Sequence, residues 1–542
     1  LFFRGVNSVI DGGTRLYVRF VRGALRWRWA VLVAFAAGLV ATWAVYQAVP
    51  SAFVPDEDEG YLMVIVQAPA GSSLEYTVDI MAQAEAVLSA QPEVAGVFAV
   101  AGFSFTGPAS NQGMMFASLT PYDERRDPSQ SLASVLDRVR PALLGGITGG
   151  LVIPVIPPAI QGLSQFGGFQ LEIQDQSGGD IADLANITSQ IISRANASGQ
   201  VAGAFSSFTA NDPQLVVDID RDRARSLGLP ISEITGALQV LLGSQYVNDF
   251  DLNNRAYRVY VQADQEFRGE PSDLKSYYAR ASNGEMVSLD TVVRVREQTA
   301  PSVISHFDLV RSAEVTGVPL PGVSSGQALA AMEQIAAETL PAGFGFKWAG
   351  QSLEELKAGS TAVYIFALSI LLVYLVLAAQ YESWVLPLII LLGVPLAVLG
   401  ALGAQLMRGL SNDIFCQVGL VMLIGLAAKN SILIVEFAEH LRKQGWPIAE
   451  AAAEAARIRL RPILMTSLTF ILGVLPLALA TGAGSGARNS VGTAVAGGMI
   501  ASTFLSLIFI PVLYAVLRSL APGRDTQGTH REAVGEAGGA HA

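Results

Sequence analysis

Six stretches of this chain, roughly 30–49, 361–379, 385–405, 414–437, 463–480 and 491–517, are each apolar over the length of a membrane span. Crossing a bilayer as a helix takes about 20 residues. One such run alone would fit a buried helix of a soluble protein, but five packed into 361–517 do not. Composition agrees, since only 15% of the 542 residues are charged, against about 25% in an average soluble domain. The first run lies too far into the chain and lacks the small-residue cleavage site of a signal peptide. The expected fold is an α-helical membrane bundle of six transmembrane helices with a large α+β insert.

Basic residues set the orientation. Arg15, Arg19, Arg22, Arg26 and Arg28 precede the first run. Arg442, Lys443, Arg457, Arg459 and Arg461 separate the fourth from the fifth, and Arg518 follows the sixth. The alternate connections are poorer, with Arg408 in 406–413 and Arg488 in 481–490. Both ends are therefore expected in the cytoplasm: a basic amphipathic segment over 1–29 and a disordered tail over 519–542. The segment from about 50 to 357 is expected outside. A net charge of −11 argues against nucleic acid or an anionic lipid surface as the main partner.

The insert carries an internal repeat. Residues 62–100, 169–208 and 313–350 share the order strand, glycine-bearing turn, helix, strand, which fits split βαβ sandwiches. Residues 214–300 differ in texture, with a helix in ISEITGALQVLLGS, the polar turn DFDLNN and the alternating run AYRVYVQA. They read as a separate subdomain inserted into the second sandwich, for assembly. The run VFAVAGFSFTG over 97–107 brings Phe98, Phe103 and Phe105 among glycines, and Phe116 follows. It reads as a mobile aromatic loop rather than a clean strand, and these rings serve either a core or a pocket for apolar compounds.

Lys429 is the most informative residue. It sits inside the fourth run, VMLIGLAAKNSILIVEFA, in a chain with only five lysines. A charge at mid-membrane costs roughly 2.5–3.5 kcal/mol on insertion scales, and snorkelling would require a place nearer a helix end. An ammonium in a bundle needs a counter-ion, yet no Asp or Glu falls in the other five runs as bounded above. Glu436 lies about 10 Å along the helix axis. Six runs with a large insert, an unpaired lysine and a first residue, Leu1, that is not methionine lead to the expectation of half a two-fold repeated transporter. Asn430, Arg459 and Thr466 are the polar candidates for an ion relay with Lys429. No GxxxxGK[ST] phosphate loop occurs, so ATP is not the expected energy source. GAGSGA at 482–487 reads as a tight turn between spans. The lone Cys416 has no disulfide partner, and the four histidines lack metal-ligand spacing.

Several segments closely resemble the multidrug efflux pumps of the resistance-nodulation-division superfamily, AcrB-like inner-membrane transporters. They are FVPDEDEGYLMVIVQAPAGSS (53–73), GSQYVNDF (243–250), AAQYESW (378–384), QVGLVMLIGLAAKNSILIVEFA (417–438), RLRPILMTSL (459–468) and TGAGSGARNSVGTAVAGGM (481–499). They follow the family's order through nearly the whole chain and cover the second half of its architecture.

The resemblance implies an inner-membrane, twelve-span, trimeric antiporter driven by the proton gradient without a cofactor. It would export small hydrophobic compounds together with a periplasmic adaptor and an outer-membrane channel. Lys429 would release and re-form a bond with a carboxylate pair in the N-terminal half, which is absent here, and Arg459 and Thr466 would support the relay. Phe98, Val100, Phe103, Phe105 and Phe116 would form the deep pocket and switch loop. Phe169, Leu171 and Ile173 would line the entrance-side pocket. The sandwiches would span about 50–165 and 166–213 with 301–357, and 214–300 would be the docking region. Pro108 departs from relatives that carry a basic residue there. A heavy-metal or lipid exporter would share the topology, but Met422, Met465 and Met499 lie on three different runs and read as packing. A non-transporting scaffold would not need the lysine.

Overall fold

The computed structural model describes residues 2–520 except Asp56, Thr106 and Pro321; for residues 2–11 and Ser360 only the backbone is described. Most of the tail expected over 519–542 therefore lies outside the described residues.

The chain opens with α1 (Phe2–Arg26) and α2 (Arg28–Ala48), the first apolar span. Tyr17, Val21 and Leu25 of α1 pack on Ala453 and Ala456. The insert then begins with β1 (Tyr61–Gln67), α3 (Leu74–Ser89), β2 (Val94–Ser104), β3 (Gly107–Leu119), α4 (Leu132–Gly146) and β4 (Leu151–Val155). Its sheet order is β2-β3-β1-β4, all antiparallel neighbours, so β3 lies between the two strands of the first repeat. Alternation does the sorting. Leu62, Val64 and Val66 join Ile80, Leu88 and Val139 of the covering helices in one core. Met63 and Ile65 turn to the opposite face and pack toward Phe166 and Phe205.

The second sandwich starts with β5 (Phe169–Asp175), α5 (Ile181–Ala197) and β6 (Val201–Phe205). The chain then leaves it for β7 (Asp212–Ile219), α6 (Arg221–Ser226), α7 (Ile231–Gly243), β8 (Gln245–Leu252), β9 (Arg255–Val261), β10 (Tyr278–Arg280), β11 (Met286–Ser288) and β12 (Val293–Ala300). It returns with β13 (Ser305–Phe307), β14 (Val310–Pro319), α8 (Ser325–Thr339) and β15 (Phe344–Trp348). β14 lies between β6 and β5, and β5 between β14 and β15. All three sequence repeats are thus split βαβ units, each holding a foreign strand between its own two.

The excursion is a compact unit of its own, residues 208–304 with 69–73. Its core gathers Leu229, Ile234, Leu274, Tyr277, Leu289 and Val292. The expected DFDLNN turn is instead the end of β8 plus Asn253 and Asn254, whose φ of 51° and 58° make the tight hairpin turn that asparagine tolerates. Both strands of this hairpin are exposed throughout.

The remaining spans are α9 (Gly350–Tyr381), the pair α10 (Val385–Leu391) and α11 (Val394–Met407), α12 (Ile414–Lys443), α13 (Ile448–Ala478) and α14 (Ser485–Leu520). With α2, and with α10 and α11 counted as one broken span, they give six helices long and apolar enough to cross a membrane among the described residues. The third span breaks after Leu391 because Pro395 lacks an N–H and its ring crowds the carbonyl one turn back. Most of these helices outrun their apolar cores, so α9 carries Glu354 and Glu355 and α13 carries Glu450 and Glu454. The GAGSGA turn is shorter than expected. Gly482 and Gly484 take φ of 91° and 68° in the link, while Ser485 already opens α14.

Two neighbouring residues tie the bundle to the first sandwich. The Glu57 carboxylate accepts the N–H groups of Gly486 (3.2 Å) and Ala487 (2.9 Å) at the start of α14, where the helix dipole favours an anion. Asp58 takes Arg125 bidentately at 3.0 and 3.1 Å and the N–H of Leu132 at 2.9 Å, at the start of α4.

Candidate functional site

Lys429 lies midway along the 30-residue α12. Its side chain is exposed, in line with Val418, Met422, Gly425 and Glu436 on one face of that helix. This is the spacing of a single helical stripe. Beside it α13 leaves Met465, Leu468 and Leu472 uncovered. Among the described residues no ion pair or hydrogen bond engages Lys429.

The neighbouring Asn430 points the other way. It is 1% exposed, and its amide nitrogen lies 3.4 Å from Ser467 Oγ and 3.5 Å from Thr503 Oγ1. Ser502 and Ser506 are buried on α14 as well. Arg459 stacks its guanidinium 4.8 Å above the ring of Phe437, on the Lys429 side of α12 two turns toward its end. Thr466 donates to the carbonyl of Ile463 at 3.2 Å, and no bond joins it to Lys429 among the described residues. The four relay candidates therefore do not share one setting: Lys429 faces outward, Arg459 is half-buried against Phe437, Thr466 bonds within its own helix, and Asn430 sits in the polar interior between α12, α13 and α14. Ser467, Thr503, Ser502 and Ser506 were not singled out from the sequence, although hydroxyls recurring in apolar helices were a legible signal.

The second region is the cleft between the two sandwiches. The run over 97–107, expected as a loop, is mostly strand: β2 pairs with β3 from Val94 to Ser104, with a bulge between Ala101 and Phe103. Cross-strand pairing supplied what local composition hid. Phe98 and Phe116 face each other with ring centres 6.2 Å apart, and Val100 pairs with Met114. At the hairpin tip Phe103 meets Phe105 at 6.1 Å, Phe105 meets Phe166 at 5.2 Å, and Phe166 meets Phe205 at 6.3 Å. Phe105, Phe166 and Phe205 wall a small cavity of about 50 Å³ with Glu314 and Thr316.

The entrance-side trio needs correction. Phe169, Leu171 and Ile173 are 3%, 0% and 0% exposed. Leu171 lies beside Val315 and Trp348, and Phe169 stands edge-on to Trp348 at 6.4 Å, so the three build the sandwich core. Phe169 also lines a cavity of about 540 Å³. The alternate residues of the same strand, Gln170, Glu172 and Gln174, occupy the other face, together with Glu314 and Thr316 across the register. Burial raises the Glu172 carboxyl to about 7, and the charge of Glu314 adds to the rise.

Further cavities lie along the helices and at the base of the sandwiches. An apolar groove of about 710 Å³ runs between α2, α9, α10 and α11 and includes Phe366 and Val398. The same two residues border a vestibule of about 500 Å³ at the outer end of the bundle. Ala52, Leu329 and Glu355 line both the vestibule and a cavity of about 540 Å³ that reaches Arg140 and Phe169.

A profile of the AcrB/AcrD/AcrF family matches residues 1–518. The chain belongs to this family. Among curated relatives, a toluene efflux pump membrane transporter of Pseudomonas putida, TtgB, is 40% identical over 97% of this chain and 50% of its own length. The multidrug export protein AcrF of Escherichia coli (strain K12) is 39% identical over 96% of the chain and 51% of its own. The multidrug resistance protein MdtF of that same Escherichia coli strain is 38% identical over 96% and 50%. The chain spans about half the length of these relatives. As an AcrB/AcrD/AcrF family member with six apolar helices, it is a multi-pass membrane protein.

Proposed function

We propose that this chain is the C-terminal half of a proton-coupled exporter of hydrophobic and amphiphilic compounds, and a secondary active transporter rather than an enzyme. The observation that carries this is Lys429, a cation midway along a span, in an uncovered stripe, with no counter-ion among the described residues. Left in lipid, such a charge is costly. Packed against six further helices that bring a carboxylate pair, it becomes a switch. Protonating the carboxylates removes the partner of Lys429, and the helices repack between two arrangements.

The pairs at Glu57 and Asp58 would carry that movement to the first sandwich. The aromatic cleft encloses only about 50 Å³ here, well below the roughly 300 Å³ of a typical ligand pocket. This fits a closed state of a cycle that opens it to substrate from the groove and vestibule. The pump would work as a trimer in the bacterial inner membrane, with the sandwiches in the periplasm. The excursion unit would face an outer-membrane channel and an adaptor protein.

The test is Lys429→Ala in the complete transporter. Proton-coupled export is expected to vanish while trimers still form on native gels. Undiminished export of a hydrophobic dye by that variant would overturn the assignment.

A further inference from the structure

The net charge of −11 hides a local excess of the opposite sign. Residues 12–29 carry Arg15, Arg19, Arg22, Arg26 and Arg28 and no acid. One face of α1 is pinned to the bundle. Val21 and Ala24 are buried there, and the Tyr17 hydroxyl donates at 2.8 Å to the carbonyl of Leu507 on α14. That carbonyl lacks its usual helical donor, because Pro511 stands four residues on without an N–H. Two further faces stay exposed. Arg19, Arg22 and Arg26, three and four residues apart, form a basic ridge about 10 Å long. Leu16, Phe20 and Trp27 form an apolar strip beside it. Among the described residues no ion pair holds these three arginines. Glu454, the carboxylate near Arg22, is already held by Arg457 through bonds of 2.6, 2.9 and 3.1 Å.

Trp27, Trp29, Trp384 and Trp446 are all exposed, and all stand at connections on the end of the bundle away from the sandwiches. Tryptophan gathers where a membrane meets water. Helix α1 therefore runs along that boundary, with its strip toward hydrocarbon and its ridge toward the headgroups. We propose that this side of α1 is a binding site for an anionic phospholipid. Arg19, Arg22 and Arg26 would grip its phosphate, and its acyl chains would lie on Leu16, Phe20 and Trp27. Guanidinium groups meet phosphate oxygens through paired N–H bonds. A zwitterionic lipid carries its own cation beside the phosphate and gains less from the ridge. A soluble polyanion would satisfy the ridge and leave the strip bare. The anionic lipid matches both.

The site can be read without any transport. Gly23 lies exposed between Phe20 and Trp27, and a Cβ there would meet no described atom within 4 Å. Gly23→Cys therefore seats a pyrene label, since the native Cys416 is buried. The labelled chain in phosphatidylcholine nanodiscs is titrated with nitroxide-bearing phosphatidylglycerol, or with nitroxide-bearing phosphatidylcholine of identical acyl chains. An arginine beside anionic headgroups favours them by about fivefold, so phosphatidylglycerol should quench at a mole fraction lower by roughly tenfold or more. Arg19→Gln, Arg22→Gln and Arg26→Gln together should bring its curve onto that of phosphatidylcholine, which should not itself move. Equal quenching by both lipids with the arginines in place, or a preference that survives their removal, would overturn the site. Relief of quenching by soluble glycerol phosphate would assign the ridge to a free anion instead. Pyrene excimer emission would seat a second copy there, and either result also overturns the lipid assignment.

Discussion

Two carboxyl groups decide different things. Glu172 is buried on the cleft face of β5 and titrates near 7, above the usual 4.5. A raised carboxyl favours the folded state while protonated, so its contribution is full below about 4.5 and is lost as pH rises through 7. A shift of this size corresponds to roughly 3 kcal/mol. Amide exchange along β5, corrected for intrinsic rates, should therefore quicken between pH 5 and 8, and Glu172→Gln should flatten that profile. An infrared carboxyl band titrating near pH 7 in wild type and missing from the variant would confirm the group. Asp58 behaves oppositely, since it holds Arg125, whose side chain is 2% exposed. Asp58→Ala strands a buried guanidinium and should cost about 3–5 kcal/mol. That loss is readable as earlier urea unfolding of the first sandwich.

Helices α11 and α14 meet through glycine. A Cβ on Gly400 would collide with Ala501 and lie 2.6 Å from the carbonyl oxygen of Gly497. Small residues of this kind let membrane helices approach backbone to backbone. Gly400→Leu should force them apart at a cost of about 1–3 kcal/mol or more, lowering the thermal midpoint in nanodiscs. A midpoint within a degree of wild type would refute that contact. The spans and the three βαβ repeats were legible because each is written in local periodicity. Helix ends were not, since α9 and α13 run on through charged residues that a hydropathy reading cuts off. Nor was the fate of 97–107, where glycines masked a strand that exists only through pairing with β3. In the bundle, Lys429 was legible from its cost in hydrocarbon. That Asn430 turns inward while Lys429 turns outward depends on which helices pack where. The trio Phe169, Leu171 and Ile173 was misread because strand alternation shows that they share a face, but not which face meets the helices.

At the scale of the molecule, the stripe through Met422 and Lys429 and its neighbours on α13 is exposed, and on the export reading proposed above it would pack against another surface. Produced alone, the chain should self-associate there. Met422→Cys should give disulfide-linked dimers on mild oxidation, because the native Cys416 is buried. Supplying the partner half should suppress them, and dimers persisting undiminished would argue that the stripe faces lipid. The pairing of Glu57 with α14 and Asp58 with α4 has a mechanical consequence. Adjacent Cα atoms stay about 3.8 Å apart whatever the chain does, so the only slack between the two grips is in the side chains that make them. A slide of α14 beyond what those rotamers take up, set against a single residue's rise of about 1.5 Å, must either be handed on to α4 or be absorbed by letting go at one end. The link behaves as a taut cord with a breaking point, and whichever grip is weaker sets the largest stroke the helix can transmit.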